Sequence, residues 1–148
     1  MNNSKTDHDS GLLFKISLRC YNTMLMMLAM FLMIDDMKCV YVEMLNDKIS
    51  SNIYTFNTMI NAYCKLGNVD EAELYLSKIL QAGLSPDTHT FTSFILGHCR
   101  KKEVDSAVRV FKEMVKKGCR RNEVTYNNLI YGLCEVGKLD EGMQLFKK

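Results

Sequence analysis

Two series of polar side chains recur at a spacing of 35 residues along this 148-residue chain. One series carries amides and a hydroxyl, and the other carries amides and a carboxylate. The first is Asn22, Asn57, Thr92 and Asn127, and the second is Asn52, Asp87 and Asn122. Such groups form directional hydrogen bonds to nucleobase edges, but they also cap helices and cover ordinary polar surface. Spacing alone favours the capping and surface roles.

The 35-residue unit that carries these side chains predicts two helices. In Ile53–Lys65 the apolar residues fall at i, i+3, i+4 and i+7, on one helical face. They are Phe56, Met59, Ile60 and Tyr63. A turn with Gly67 and a second apolar stripe over Val69–Leu80 follow, and Gly83 stands where a left-handed residue would end that helix. Hairpins in series predict an all-α fold, an α-solenoid of stacked helix-turn-helix repeats.

The same register divides the chain into five segments. They are an N-terminal tail (1–17), a degenerate repeat (18–52), two complete repeats (53–87 and 88–122) and an incomplete repeat (123–148). In the degenerate repeat, Leu32 and Lys48 replace the turn glycines, and Met24–Ile34 is an unbroken apolar run. This run is too short to span a bilayer, which needs about 20 residues, so we expect a buried helix and no membrane insertion.

The repeated residues resemble the pentatricopeptide repeat. The resemblance is carried by the runs VTYNNLIYGLCEVGKLDEGMQLF (124–146), FKEMVKKG (111–118) and GLSPD (83–87), and it extends from Leu18 to Lys148. Members of that family are sequence-specific RNA-binding proteins, mostly of plant mitochondria and chloroplasts. Unbroken 35-residue units are similar to its pure-repeat subgroup, which includes fertility restorers. The resemblance implies a single-stranded RNA-binding protein acting in organellar RNA processing, stability or translation, with about one base per repeat.

The resemblance also implies that the two polar series choose bases in pairs. Asn57 with Asp87 implies uridine, and Thr92 with Asn122 implies adenosine. A further pair, Asn22 with Asn52, implies a pyrimidine, cytidine more than uridine, whereas Asn127 has no closing partner in the chain.

Two further sets of residues follow from the resemblance. Base stacking is implied for Tyr54, His89 and Val124. Phosphate contacts are expected for Lys65, Arg100, Lys101 and Lys102. The last three of these belong to the most basic repeat, because residues 88–122 hold nine Lys/Arg against three Asp/Glu in a chain of net charge +2. Such a patch attracts phosphates or is simply a solvated face.

The remaining motifs give no sign of chemistry. Six cysteines occur without a Cys-x-x-Cys pair, and Cys64, Cys99 and Cys134 fall once per repeat beside the apolar face. We interpret these three as small packing residues in a reducing compartment, and we expect no metal and no cofactor. No nucleophile elbow, phosphate loop or zinc deaminase motif is present, so we expect no enzymatic activity.

Alternatives to RNA binding remain open at this point. One is a protein-binding helical-repeat scaffold, with other proteins or a second copy as partner. The other is a truncated family member with little independent activity. The family resemblance implies a mitochondrial location, with the chloroplast as the alternative, although residues 1–17 contain no clear transit peptide.

Overall fold

The computed structural model describes residues 16–147 and places eight helices there, with no strand in that part of the chain. The helices are α1 (Leu18–Met30), α2 (Ile34–Asn46), α3 (Ile53–Lys65), α4 (Val69–Gln81), α5 (Thr88–Arg100), α6 (Val104–Lys116), α7 (Glu123–Glu135) and α8 (Leu139–Phe146). The predicted all-α solenoid is confirmed. Residues 1–15 of the expected tail, and Lys148, lie outside the described residues.

The helices form two layers. The odd-numbered helices α1, α3, α5 and α7 pack side by side in chain order, and each even-numbered helix packs against the helix before it. We call the odd-numbered helices the inner layer and the even-numbered helices the outer layer. The inner helices begin at residues 18, 53, 88 and 123, so they repeat with the 35-residue period of the sequence.

Local sequence fixes where the inner helices begin. Asn52, Asp87 and Asn122 are the N-caps of α3, α5 and α7, and each side chain accepts a hydrogen bond from the backbone N–H three residues later. Ser17 caps α1 in the same way. These side chains satisfy amides that a helix leaves unpaired at its first turn. The predicted capping role of Asp87 and Asn122 is therefore confirmed.

The turns require left-handed backbone even where glycine is missing. Gly67 and Gly83 have φ angles of 74° and 76°, as the sequence predicts. Leu32, Lys48 and Lys102 take the equivalent places with φ angles of 54°, 61° and 65°. A side chain in this conformation costs about 1–2 kcal/mol, so these three turns store strain that the glycine turns avoid.

Small residues let neighbouring repeats approach closely. Cys64 and Cys99 are buried, and they face Gly97 and Gly132 of the next repeat. A Cβ added at Gly97 would lie 2.9 Å from the Cys64 Sγ. The packing role predicted for these two cysteines is confirmed, whereas Cys134 is exposed because no glycine packs on it in the described chain.

The first hairpin departs from the pattern of the others. The sequence predicts a buried helix over Met24–Ile34, and that prediction is wrong. Helix α1 ends at Met30, and within it only one face is buried against α2 and α3. The exposed apolar side chains are Met24, Met26, Met27, Met30, Phe31, Leu32 and Met33. Among the described helices, none is long and apolar enough to cross a membrane.

Candidate nucleic-acid interface

A groove of about 530 Å³ runs along the inner layer, across all four odd-numbered helices. Its walls come from these helices and from two of their N-caps, and no residue of an even-numbered helix contributes. The lining residues are Met26, Ala29, Met30, Ile53, Tyr54, Asn57, Thr58, Asn61, Lys65, Asp87, His89, Thr92, Ser93, Leu96, Asn122, Val124 and Asn128. One surface therefore collects residues from every repeat of the chain.

The two polar series meet inside this architecture. Asn57 Nδ2 donates to Asp87 Oδ1 at 3.0 Å, and the side chains of both residues line the groove. The pair in the following repeat, Thr92 and Asn122, is linked through Thr125. The hydroxyls of Thr92 and Thr125 lie 2.9 Å apart, and the Asn122 side chain accepts a hydrogen bond from the Thr125 backbone N–H. All four residues of these two predicted pairs border the groove, although Thr92 is only 7% exposed.

A threonine holds each pair in place. Thr90 Oγ1 lies 2.6 Å from Asn57 Oδ1 and 3.1 Å from Asp87 Oδ1. The hydroxyl has one proton, and the shorter distance assigns it to Asn57. Thr90 also accepts from the Asp87 backbone N–H, and Thr55 makes the same set of hydrogen bonds to Asn22 and Asn52. This threonine was missed in the sequence, although its 35-residue recurrence at 55, 90 and 125 was visible.

The hydrogen bonds leave a defined set of groups free for a ligand. Asn57 uses its oxygen and one N–H, so the other N–H is available. The second oxygen of Asp87 is an acceptor beside it. A donor next to an acceptor is the pattern that reads the edge of a base.

The predicted stacking residues also belong to the groove. Tyr54, His89 and Val124 all line it, and all three are exposed. They recur at the second residue of successive inner helices, so they alternate with the polar pairs along the groove. Two of them have rings that can stack on a base, and the third offers an apolar wall.

The cations predicted to bind phosphate are divided. Lys65 lines the groove, whereas Arg100, Lys101 and Lys102 do not. Lys101 lies 3.7 Å from a carboxylate oxygen of Glu103, and Lys102 lies 3.4 Å from one of Glu135. None of the nine Lys/Arg of residues 88–122 reaches the groove, because most of them stand on α6 and the segments beside it.

The remaining predicted base-reading residues lie off the groove. Asn22 is only 7% exposed, and its amide is bonded to Asn52 and Thr55. Asn52 and Asn127 are exposed but do not line the groove. The first and last repeats therefore lack a complete polar pair at this surface.

Sequence reasoning also missed a second row of polar groups. Asn61 Nδ2 donates to Ser93 Oγ at 3.0 Å, and both residues line the groove. Asn128 Nδ2 lies 3.5 Å from the Thr92 carbonyl oxygen. Asn61 follows Asn57 by one helical turn, so the i, i+4 spacing was a signal for it.

The buried thiols are not arranged for reactivity. Burial raises the pKa of Cys64 to about 12 and that of Cys99 to about 11, so both are protonated at neutral pH. A protonated thiol is a poor nucleophile and a poor metal ligand. Within residues 16–147, no three His, Cys, Asp or Glu side chains cluster closely enough to hold a metal ion.

Comparison with known sequences identifies PPR repeats in this chain. The profile of the PPR repeat family matches residues 51–100 and 86–135, and that of the PPR repeat matches residues 124–148. A pentatricopeptide repeat-containing protein of Arabidopsis thaliana is 58% identical over 49 residues. That alignment covers 33% of this chain and 5% of the relative, so the chain matches only a small part of it.

Solved structures show the same architecture. PPR10 in complex with an 18-nt psaJ RNA element aligns over 93% of this chain and 20% of its own, with 25% identity and a TM-score of 0.79. PPR10 from maize aligns with 22% identity and a TM-score of 0.70, over 95% of this chain and 20% of its own. The PPR domain of Arabidopsis thaliana protein-only RNase P 1, in complex with tRNA, aligns with 18% identity and a TM-score of 0.67, over 93% of this chain and 73% of its own. The last two likenesses concern the fold.

Proposed function

Because this chain belongs to the pentatricopeptide repeat family, we propose that it binds single-stranded RNA in the groove of its inner helices. The observation that carries the proposal is the composition of one groove. It holds two polar pairs, three predicted stacking residues that alternate with them and an exposed cation, Lys65. Its RNA-bound structural neighbour, at 25% identity, supports the same ligand class.

The free groups of the polar pairs suggest which bases they accept. Beside Asp87, the unused N–H of Asn57 can donate to a uracil carbonyl while the carboxylate accepts the uracil N3–H. The pair of Thr92 and Asn122 offers a hydroxyl and an amide, which suit the N6 donor and ring-nitrogen acceptor of adenine. We therefore propose uridine for the second repeat and adenosine for the third.

The size of the site sets its affinity. Stacking is worth about 1–3 kcal/mol per base, and part of it is offset by ordering a flexible strand. We propose micromolar or weaker binding by this chain alone. In the cell, a plant organelle and a role in organellar RNA processing, stability or translation are proposed on the family's account.

Selection of bound sequences from a random RNA pool tests the proposal. We expect enrichment of a uridine–adenosine step, lost in Asn57→Ala. The control is Asn46→Ala, which truncates an exposed amide of α2 that does not line the groove. A pool without enrichment, for a protein that is folded by circular dichroism, would favour the alternative of a protein-binding scaffold.

A further inference from the structure

The groove changes character at the first repeat. There its walls are Met26, Ala29 and Met30 of α1 together with Ile53 and Tyr54 of α3. All five are apolar or aromatic. This stretch is continuous with the part of the groove that holds Asn57 and Asp87, because all of these residues line one cavity.

Two methionines cause the change. Met26 and Met30 stand 35 residues before Asn61 and Lys65, and so occupy the same places on their helix. The repeat that carries Lys65 offers a cation for a phosphate, whereas the repeat before it offers thioethers. A phosphate would lose water there without gaining a charged partner, so the backbone of a nucleic acid is a poor occupant.

An aromatic side chain contacts one of these methionines and borders the same space as the other. Tyr54 is 45% exposed, and its hydroxyl donates to Met26 Sδ at 2.9 Å. Contacts between thioethers and aromatic rings are favourable, and methionine adapts to flat groups of different shape. The ring and the two thioethers therefore bound a space that suits a planar apolar group.

The apolar stretch itself offers no side chain that can distinguish one base from another, because its one hydroxyl, that of Tyr54, already donates to Met26. Asn22 occupies the base-reading position of this repeat, but it is buried, lies off the groove and is bonded to Asn52 and Thr55. Its amide makes the same two hydrogen bonds as that of Asn57, but no atom of Asn22 borders the groove.

We propose that this apolar stretch is a nucleobase site without sequence preference, adjoining the base held by Asn57 and Asp87. The inference rests on the proposed RNA-binding function. Every base has a π-face, so stacking at this site holds any base, and the first repeat adds affinity without adding specificity.

The test uses the full chain and short RNAs with a uridine–adenosine core and one added nucleotide on either side. The added nucleotide is each natural base, an abasic residue or 2-aminopurine, whose fluorescence is undisturbed because the chain contains no Trp. We expect 2-aminopurine to be quenched on one side only. On that side the four bases should bind within about twofold of one another, and the abasic RNA about fivefold more weakly.

Methionine variants link that signal to the site. In Met26→Gln with Met30→Gln, the difference between a base and an abasic residue should disappear. The control is Met24→Gln with Met27→Gln, on exposed methionines of the same helix that do not line the groove. In the control the difference should remain.

The outcomes separate the two proposals. A core that binds and responds to Asn57→Ala, with no dependence on the added base, overturns only this inference and leaves the methionines to a protein partner. A clear preference among the four bases on the quenched side overturns it too, as does a base effect that survives in the groove methionine variant. If the core does not bind at all, the RNA-binding function fails and this inference fails with it.

Discussion

At the residue scale, the second residue of each proposed base-reading pair, Asp87 or Asn122, is also a helix cap. Asp87 uses one oxygen to cap α5 and to receive Asn57, which leaves the other oxygen for a ligand. The capping role and the proposed base-reading role are thus compatible within a single side chain. Any substitution that tests readout must therefore preserve the cap.

Exchanging the pair of the third repeat for that of the second meets this condition. Thr92→Asn with Asn122→Asp supplies the donor and acceptor pattern that Asn57 and Asp87 present. We expect the preferred base to change from adenosine to uridine, by about 1–3 kcal/mol for a good base contact. Aspartate caps as well as asparagine does, so stability should hardly change.

Competition between an RNA with adenosine and one with uridine at this position measures the change in preference. The variant repeat is placed in a longer array of such repeats, because two repeats bind weakly. Thermal unfolding of both proteins provides the control. An unchanged base preference in equally stable proteins would mean that Thr92 and Asn122 serve only the fold.

A buried thiol gives the chain a measurable pH dependence. Burial raises the pKa of Cys64 from 9 to about 12, so the folded state excludes the thiolate. This contribution is complete below about pH 9 and is lost as the pH rises towards 12, since the unfolded chain ionises first. Between pH 8 and about 10.5, we expect the free energy of unfolding of the parent chain to fall. The fall should be smaller in Cys64→Ala, by on the order of 1–2 kcal/mol.

Urea unfolding at a series of pH values measures this difference. Cys39→Ala, which changes an exposed cysteine, is the control and should follow the parent chain. Parallel curves for Cys64→Ala and the parent would show that the thiol remains neutral in the unfolded state or is ionised in the folded one.

At the scale of elements, the turns show where the sequence departs from its own pattern. Lys48 takes a φ of 61° where later repeats have Gly83 and Gly118. The hairpin keeps its geometry, which shows that packing of α2 against α1 outweighs the strain of one residue.

Restoring glycine at this turn should stabilise the protein. We expect Lys48→Gly to raise the free energy of unfolding by about 0.5–1 kcal/mol, the relieved strain less the extra entropy of an unfolded glycine. Lys117→Gly is the matched control, because Lys117 has a φ of −91° and should only lose stability. Chemical denaturation measures both, and a loss in Lys48→Gly would show that the lysine side chain outweighs the strain.

The position of charge on the elements, more than its amount, should govern RNA binding. Lys65 lines the groove, whereas Lys112 is exposed on α6, in the other layer. Lys65→Glu should weaken all RNA sequences alike and lower the salt dependence by about 0.7 in log–log slope for each phosphate that the protein no longer neutralises. Lys112→Glu should change affinity little. Equal losses of affinity in the two variants, measured across a salt series, would place RNA on α6 as well.

At the scale of the whole molecule, the repeat made most of the fold predictable. Helix positions and caps depend on local patterns, and the 35-residue register carries them from one repeat to the next. What the sequence does not reveal depends on packing between repeats. Asn22 lies off the groove and is bonded to Asn52 and Thr55, and the apolar run of α1 is exposed because only one of its faces meets another helix. The basic residues of the third repeat lie on α6 and in the segments at its two ends, away from the groove, which composition alone does not reveal.

The close approach of Gly97 to Cys64 offers a test of how the whole array holds together. This approach joins the two complete repeats, in the interface of α3 with α5. In Gly97→Ala the new Cβ would lie 2.9 Å from the Cys64 Sγ and 3.0 Å from a methyl carbon of Val69. We expect a loss of about 1–3 kcal/mol from overpacking, lessened by the better helix propensity of alanine.

Because a repeat array is stabilised mainly by the interfaces between neighbours, damage at this junction should also reduce cooperativity. The urea transition of Gly97→Ala should broaden, and Ser77→Ala, at an exposed position of α4, should leave it unchanged. Adding Cys64→Ala removes the sulfur but keeps a Cβ 3.1 Å away, so the double variant should recover part of the loss. Strictly additive free energies in this double-mutant cycle would mean that the strain is absorbed elsewhere and that the glycine does not set the spacing of the repeats.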